Sequence, residues 1–71
     1  MIDSKEIGRR LQKLRGDMSR ETVARIVGTS VSAISMYENG ERIPRDDIKI
    51  KLATLYEKGV QDIFFDEECH I

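Results

Sequence analysis

Twelve lysines and arginines, thirteen acids, one cysteine and one histidine carry the chemistry available to this chain of 71 residues. The basic residues are unevenly spread. Lys5, Arg9, Arg10, Lys13, Arg15, Arg20, Arg25, Arg42 and Arg45 stand among six acids in residues 1–45, a balance of +3. Residues 46–71 hold three lysines against seven acids, a balance of −4. The formal charge of −1 thus conceals a basic amino-terminal part suited to an anionic partner and an acidic remainder that would stay off it. The same arginines would serve equally as solvated helix surface, and charge alone does not choose. Cys69 and His70 cannot build a disulfide framework or a four-ligand zinc site, and they read as part of a tail. No nucleophile–base pair, carboxylate pair with a cleft or phosphate loop occurs. The expectation is a protein that is not an enzyme, with no cofactor and no catalytic or metal-ligating residue.

Those charges must be positioned by helices. Ile7, Leu11 and Leu14 recur at i, i+4 and i+7 with the basic residues on other faces, an amphipathic helix over about Ser4 to Arg15. Asp3 or Ser4 can cap it by accepting an amide hydrogen bond. Ser19 offers a second cap, and Val23, Ala24, Ile26 and Val27 supply the apolar face of a short helix stopped by the left-handed turn at Gly28. Ser30 can cap a third, with Val31, Ile34 and Tyr37 along one side and Asn39-Gly40 at its end. Pro44 disfavours helix at Ile43. A fourth helix begins at Asp46 or Asp47, with Ile48, Leu52, Leu55 and Tyr56 as its inner stripe, flanked by Ile50 and Ala53. Gly59 punctuates before a short fifth helix carrying Val60, Ile63 and Phe64.

No strand pattern or repeat appears, and no apolar run approaches the ~18–20 residues of a membrane span. The first residues lack the apolar segment of a secretory signal. The expectation is an all-α chain of five short helices, one domain over residues 1–65, with an acidic frayed tail at 66–71. A cytoplasmic location with no membrane partner fits that composition.

Residues 20–39 are the most informative stretch. Two helices meeting at a steep angle need a small residue at the contact, a turn with positive φ and apolar residues holding the second helix. Ala24, Gly28, and the set Val23, Val27, Ile34 and Tyr37 meet those needs in order. With Ile7-Gly8-Arg9-Arg10-Leu11, Gly28-Thr29-Ser30 and above all Tyr37-Glu38-Asn39-Gly40-Glu41-Arg42-Ile43-Pro44, the chain resembles the Cro/C1-type (XRE-like) helix-turn-helix regulators of phages and bacteria. Lys51-Leu52-Ala53 and Asp62-Ile63-Phe64 complete the resemblance, which covers about Ile7 to Phe64. It implies a compact five-helix, lambda-repressor-like domain that binds double-stranded DNA and regulates transcription as a repressor.

The resemblance also implies roles. The helix from Ser30 to about Asn39 would lie in the major groove, with Val31, Ser32, Ser35 and Met36 outward and Ala33 alongside as base-reading residues. It carries no Arg or Lys for guanine, so readout would be apolar and shape-dependent. Arg20, at a family position usually held by Gln, would reach a phosphate together with Ser30, Asn39, Arg42 and Arg45. Arg9, Arg10 and Lys13 offer further support or stand as solvated surface. Glu38, which phosphate would repel, fits a structural hydrogen-bond partner. The link Gly16-Asp17-Met18 is short for the family, Thr29 replaces an apolar residue, and Lys58 replaces a buried Val.

Two half-sites usually need a two-fold dimer. A homodimer on DNA is expected to use the Val60–Phe65 end, with Phe65 as its contact unless that ring folds back onto the core. Two alternatives remain beside the repressor reading. One is an antitoxin or restriction-modification controller with a protein partner. The other is a protein-interaction module that kept the fold without DNA binding.

Overall fold

The computed structural model describes residues 3–65, which form five helices: α1 (Ser4–Arg15), α2 (Arg20–Val27), α3 (Val31–Glu38), α4 (Asp46–Tyr56) and α5 (Val60–Phe64). The tail expected at 66–71, with Cys69 and His70, lies outside the described residues. Side chains cap the first three helices. Asp3 accepts from the Glu6 amide, Ser19 from that of Thr22 and Ser30 from that of Ala33, so each satisfies an amide with no partner inside its helix. Gly28 sits in the left-handed region at φ 85°, and the Gly28 and Thr29 amides both donate to the Ala24 carbonyl.

The stop of α4 falls on a residue the sequence did not mark. Glu57 takes the left-handed conformation (φ 57°), and the Lys58 amide donates to the Ala53 carbonyl. Gly59 precedes α5 with an extended backbone, and its amide donates to the Asp62 carboxylate at 3.1 Å.

α3 lies between α1 and α2, α4 packs on α2, and α5 closes the bundle against α1 and α4. The core comprises Ile7, Leu11, Val23, Ala24, Val27, Ala33, Ile34, Tyr37, Ile48, Leu52, Ala53, Ile63 and Phe64. Three assignments are corrected. Ile26 is 54% exposed, because the buried stripe of α2 runs through Val23, Ala24 and Val27 and leaves its neighbour outside. Val31 is exposed, since the inner side of α3 is Ala33, Ile34, Tyr37 and Glu38. In α4 Ala53 is buried, while Leu55 and Tyr56 are only partly covered.

Arg10 has a structural task that its charge alone does not reveal. Its Nη1 donates to the carbonyls of Asp62 (2.9 Å) and Phe65 (3.2 Å) and is 3.5 Å from that of Ile63. Those carbonyls form the negative end of α5, where a cation is favoured. Arg10 therefore ties α1 to α5 and is removed from the residues expected to support DNA.

Candidate nucleic-acid interface

The geometry of α3 follows from which of its faces is buried. Ala33 stands one turn before Tyr37 and shares its inward side, so it is only 7% exposed. This corrects its place among the base-reading residues. The open side is Val31 and Ser32, both exposed, with Ser35 and Met36 half-buried behind them and Asn39 exposed at the end. Ser32 and Val31 stand in the first turn, the part of such a helix nearest the bases in a groove. Ser30 caps the helix, its oxygen accepting from the Ala33 amide at 3.0 Å and keeping its proton and one lone pair for further bonds.

Around the start of α3 the surface is basic. Thr29, Ser30, Ile43, the cations Arg42, Arg45 and Lys51 and one acid, Asp47, are among the residues lining a polar hollow of about 310 Å³. Arg42 and Arg45 are exposed, and Arg45 keeps only a loose approach to Asp47 at 3.9 Å. Lys51 reaches this hollow from α4. Its ammonium would lie 3.9 Å from a Cβ placed on Gly28. Sequence reasoning named Lys51 within the resemblance but gave it no role at the site; only the packing of α4 on α2 brings it beside the turn. The three cations and the positive end of α3 make this hollow suited to phosphate oxygens.

Arg20 does not stand free in solvent. Its Nε donates to Glu38 Oε1 at 3.0 Å and its Nη1 to Ser35 Oγ at 3.3 Å. Arg15 approaches Glu38 from the other side, Nε to Oε2 at 2.7 Å, and its Nη1 donates to the Met18 carbonyl at 2.8 Å. Glu38 is the buried charged residue of the described part, 5% exposed. It lies at the carboxyl end of α3, where the helix dipole disfavours an anion, and the two arginines offset that. Glu38 itself thus has the structural role expected of it. The hydrogen bond to Glu38, against burial and with help from the Glu38 charge, holds the Arg15 guanidinium above its usual range.

Tyr56 packs near this cluster. Its phenol is pushed up from the ordinary 10 to about 12, first by burial, then by the charge of Glu38, against the opposing charge of Arg15. The folded state therefore holds this proton more tightly than the unfolded chain. Its contribution to stability is whole below pH 10, shrinks as pH rises between 10 and about 12, and is gone above that window. Urea midpoints measured from pH 9 upward should fall more steeply for the natural chain than for Tyr56→Phe. Parallel curves would contradict this.

A family model described as helix-turn-helix matches residues 10–63. The chain belongs to the Cro/C1-type helix-turn-helix family. This helix-turn-helix protein is a DNA-binding transcriptional regulator. It is similar to the restriction-modification controller protein C.AhdI from Aeromonas hydrophila, with a TM-score of 0.76 and 31% identity over 84% of this chain and 94% of that one. It also shares the fold of the SOS-response transcriptional repressor LexA from Eubacterium rectale, with a TM-score of 0.80 and 20% identity over 100% of this chain and 81% of that one. No curated protein sequence matches it. Among the described residues no helix is long and apolar enough to cross a membrane.

Proposed function

We infer that the protein acts in the cytoplasm as a sequence-specific repressor of transcription, binding double-stranded DNA as a homodimer with α3 in the major groove. The observation that carries this reading is the placement of exposed Val31 and Ser32 at the start of a helix ringed by Arg42, Arg45 and Lys51. Base edges would meet Val31, Ser32, Ser35 and Met36. Phosphates would meet Asn39, Arg42, Arg45, Lys51, the Ser30 proton and the Nη2 of Arg20. No enzymatic step is part of the proposal.

The two sets should separate by mutation. Asn39→Ala or Arg42→Ala should weaken binding to all duplexes alike, and Arg42→Ala should also reduce the salt slope by about one phosphate contact. Ser32→Ala or Met36→Ala should change the ranking of operator variants. Titrating each variant against a panel of single-base operator substitutions measures both. Uniform losses from all four changes would sink the division.

The dimer is assigned to the groove between α4 and α5. It has a volume of about 320 Å³ and is lined by Asp46, Lys49, Ile50, Val60 and Phe65. Phe65 is 49% exposed and does not fold back into the core, and Ile50 is exposed beside it. The Lys49 ammonium lies 5.6 Å from the Phe65 ring centre and 5.7 Å from that of Phe64, steadying both rings. Phe65→Glu should leave the melting temperature nearly unchanged and shift sedimentation toward the monomer. A variant that remains as dimeric as the natural chain would exclude this surface.

The likeness to C.AhdI favours a second reading, in which the regulated genes are those of a restriction-modification system. Methyltransferase and endonuclease genes beside the coding sequence, with preferred binding just upstream of them, would select it.

A further inference from the structure

Among the hydroxyls on the open side of α3, Ser35 differs from Ser32 in one chemical respect. Its oxygen is the acceptor of a hydrogen bond from Arg20 Nη1 at 3.3 Å. A guanidinium has donors and no acceptor, so this contact can be made only if the hydroxyl proton turns away from Arg20. The arginine is itself restrained, because its Nε is held by the buried Glu38 carboxylate at 3.0 Å and its side chain is 35% exposed. Glu38 is in turn fixed by Arg15 at 2.7 Å. A chain of bonds from the core to the reading face thus fills one lone pair of this hydroxyl and keeps its proton off Arg20.

We propose that Arg20 is a positioning residue for sequence readout, biasing the Ser35 hydroxyl toward donating by occupying one of its two lone pairs. This rests on the reading of α3 as the element that enters the major groove. A free hydroxyl donates or accepts and discriminates little between bases. A hydroxyl with one lone pair filled and its proton kept off Arg20 is biased toward acceptor edges, the N7 and O6 of guanine, the N7 of adenine or the O4 of thymine, over the amino group of cytosine. Ser32 has no such bond among the described residues and keeps both options, so the two serines contribute differently despite being the same residue type. A glutamine at position 20 offers an amide oxygen as well as a donor. It would let the Ser35 proton turn inward and remove the bias. A lysine keeps the charge but lacks the fork needed to hold Glu38 and Ser35 together.

The test is selection from a pool of random 20-base-pair duplexes, with the natural chain, Ser35→Ala, Arg20→Gln, Arg20→Lys and the double variant Arg20→Gln/Ser35→Ala. Preference is a ratio among sequences within one variant, so a partly destabilised variant still reports it. Ser35→Ala should flatten the preference at one base pair by about threefold to tenfold, the range of a single net hydrogen bond. Arg20→Gln and Arg20→Lys should flatten the same base pair, and the double variant should be no flatter than Ser35→Ala. The salt slope of Arg20→Lys should match that of the natural chain. The proposal is overturned if either Arg20 variant lowers affinity for all sequences equally with that preference intact, or if Ser35→Ala flattens no base pair. A natural chain that enriches no sequence at all would overturn the reading of α3 itself, a result distinct from the others.

Discussion

Replacing Glu38 by alanine should lower stability by about 3 kcal/mol, the low end of the range for breaking a buried ion pair. The side chain is 2% exposed and receives Arg15 and Arg20, whose own side chains are 19% and 35% exposed. Its removal leaves two guanidinium groups facing each other across a site that no longer holds an anion. Partial access to water limits the cost and places it at the bottom of the range. A domain of this length has a total stability of roughly 4–11 kcal/mol, so the variant should melt some 15 °C lower. Glu38→Gln, which keeps the volume and one acceptor, should fall between the two. Urea titration followed by far-ultraviolet circular dichroism measures this. A loss under about 1 kcal/mol, the scale of an exposed ion pair, would show that the cluster contributes no more than a surface contact.

Gly8→Ala should be as damaging, for steric reasons. Gly8 lies inside α1 and is buried where that helix crosses the end of α3. A Cβ there would stand 2.3 Å from the Glu38 carbonyl oxygen, 2.8 Å from its carbon and 3.0 Å from the Tyr37 oxygen. All three are backbone atoms and cannot turn aside. Alanine would gain about 1 kcal/mol of helix propensity over glycine, but the overlap forces α1 away from α3 and costs up to about 3 kcal/mol or more. Because Glu38 sits at the same crossing, its ion pairs with Arg15 and Arg20 would lengthen too, and a net loss of about 3 kcal/mol is expected. Gly16→Ala is the comparison. That residue has φ 55° and ψ −124° with nothing within 4 Å, so it should cost backbone strain alone, about 1–3 kcal/mol. A Gly8→Ala variant as stable as the natural chain would mean that α1 does not approach α3 this closely.

What could be read from sequence was what local chemistry decides. Ser19 and Ser30 reach amides three residues on, and Gly28 takes a turn few other residues tolerate. These needed no knowledge of the rest of the chain. Glu57 was not legible as a helix stop, because a left-handed glutamate is set by the bond from Lys58 to Ala53 and not by its own preference. In α2 both Ile26 and Val27 are apolar, and a helical period cannot say which of two neighbours is turned out. Ala33 was misplaced for the same reason, being small enough to suit either a groove or a core. The site was legible in position but not in partnership. Arg20 could be placed at the start of α2, yet its bond to Glu38 spans 18 residues and depends on how α2 crosses α3. Lys51 and Arg10 likewise acquire their tasks only when helices distant in sequence are brought together.

If the face built around α3 binds duplex DNA and reads its sequence, the protein should prefer the DNA flanking its own gene over a random duplex, measured at several salt concentrations. Affinity should fall on a log–log plot by several units, roughly 0.9 for each phosphate contact. No binding to any duplex, even at low salt, would contradict DNA readout by α3 and make the fold a platform for a protein partner.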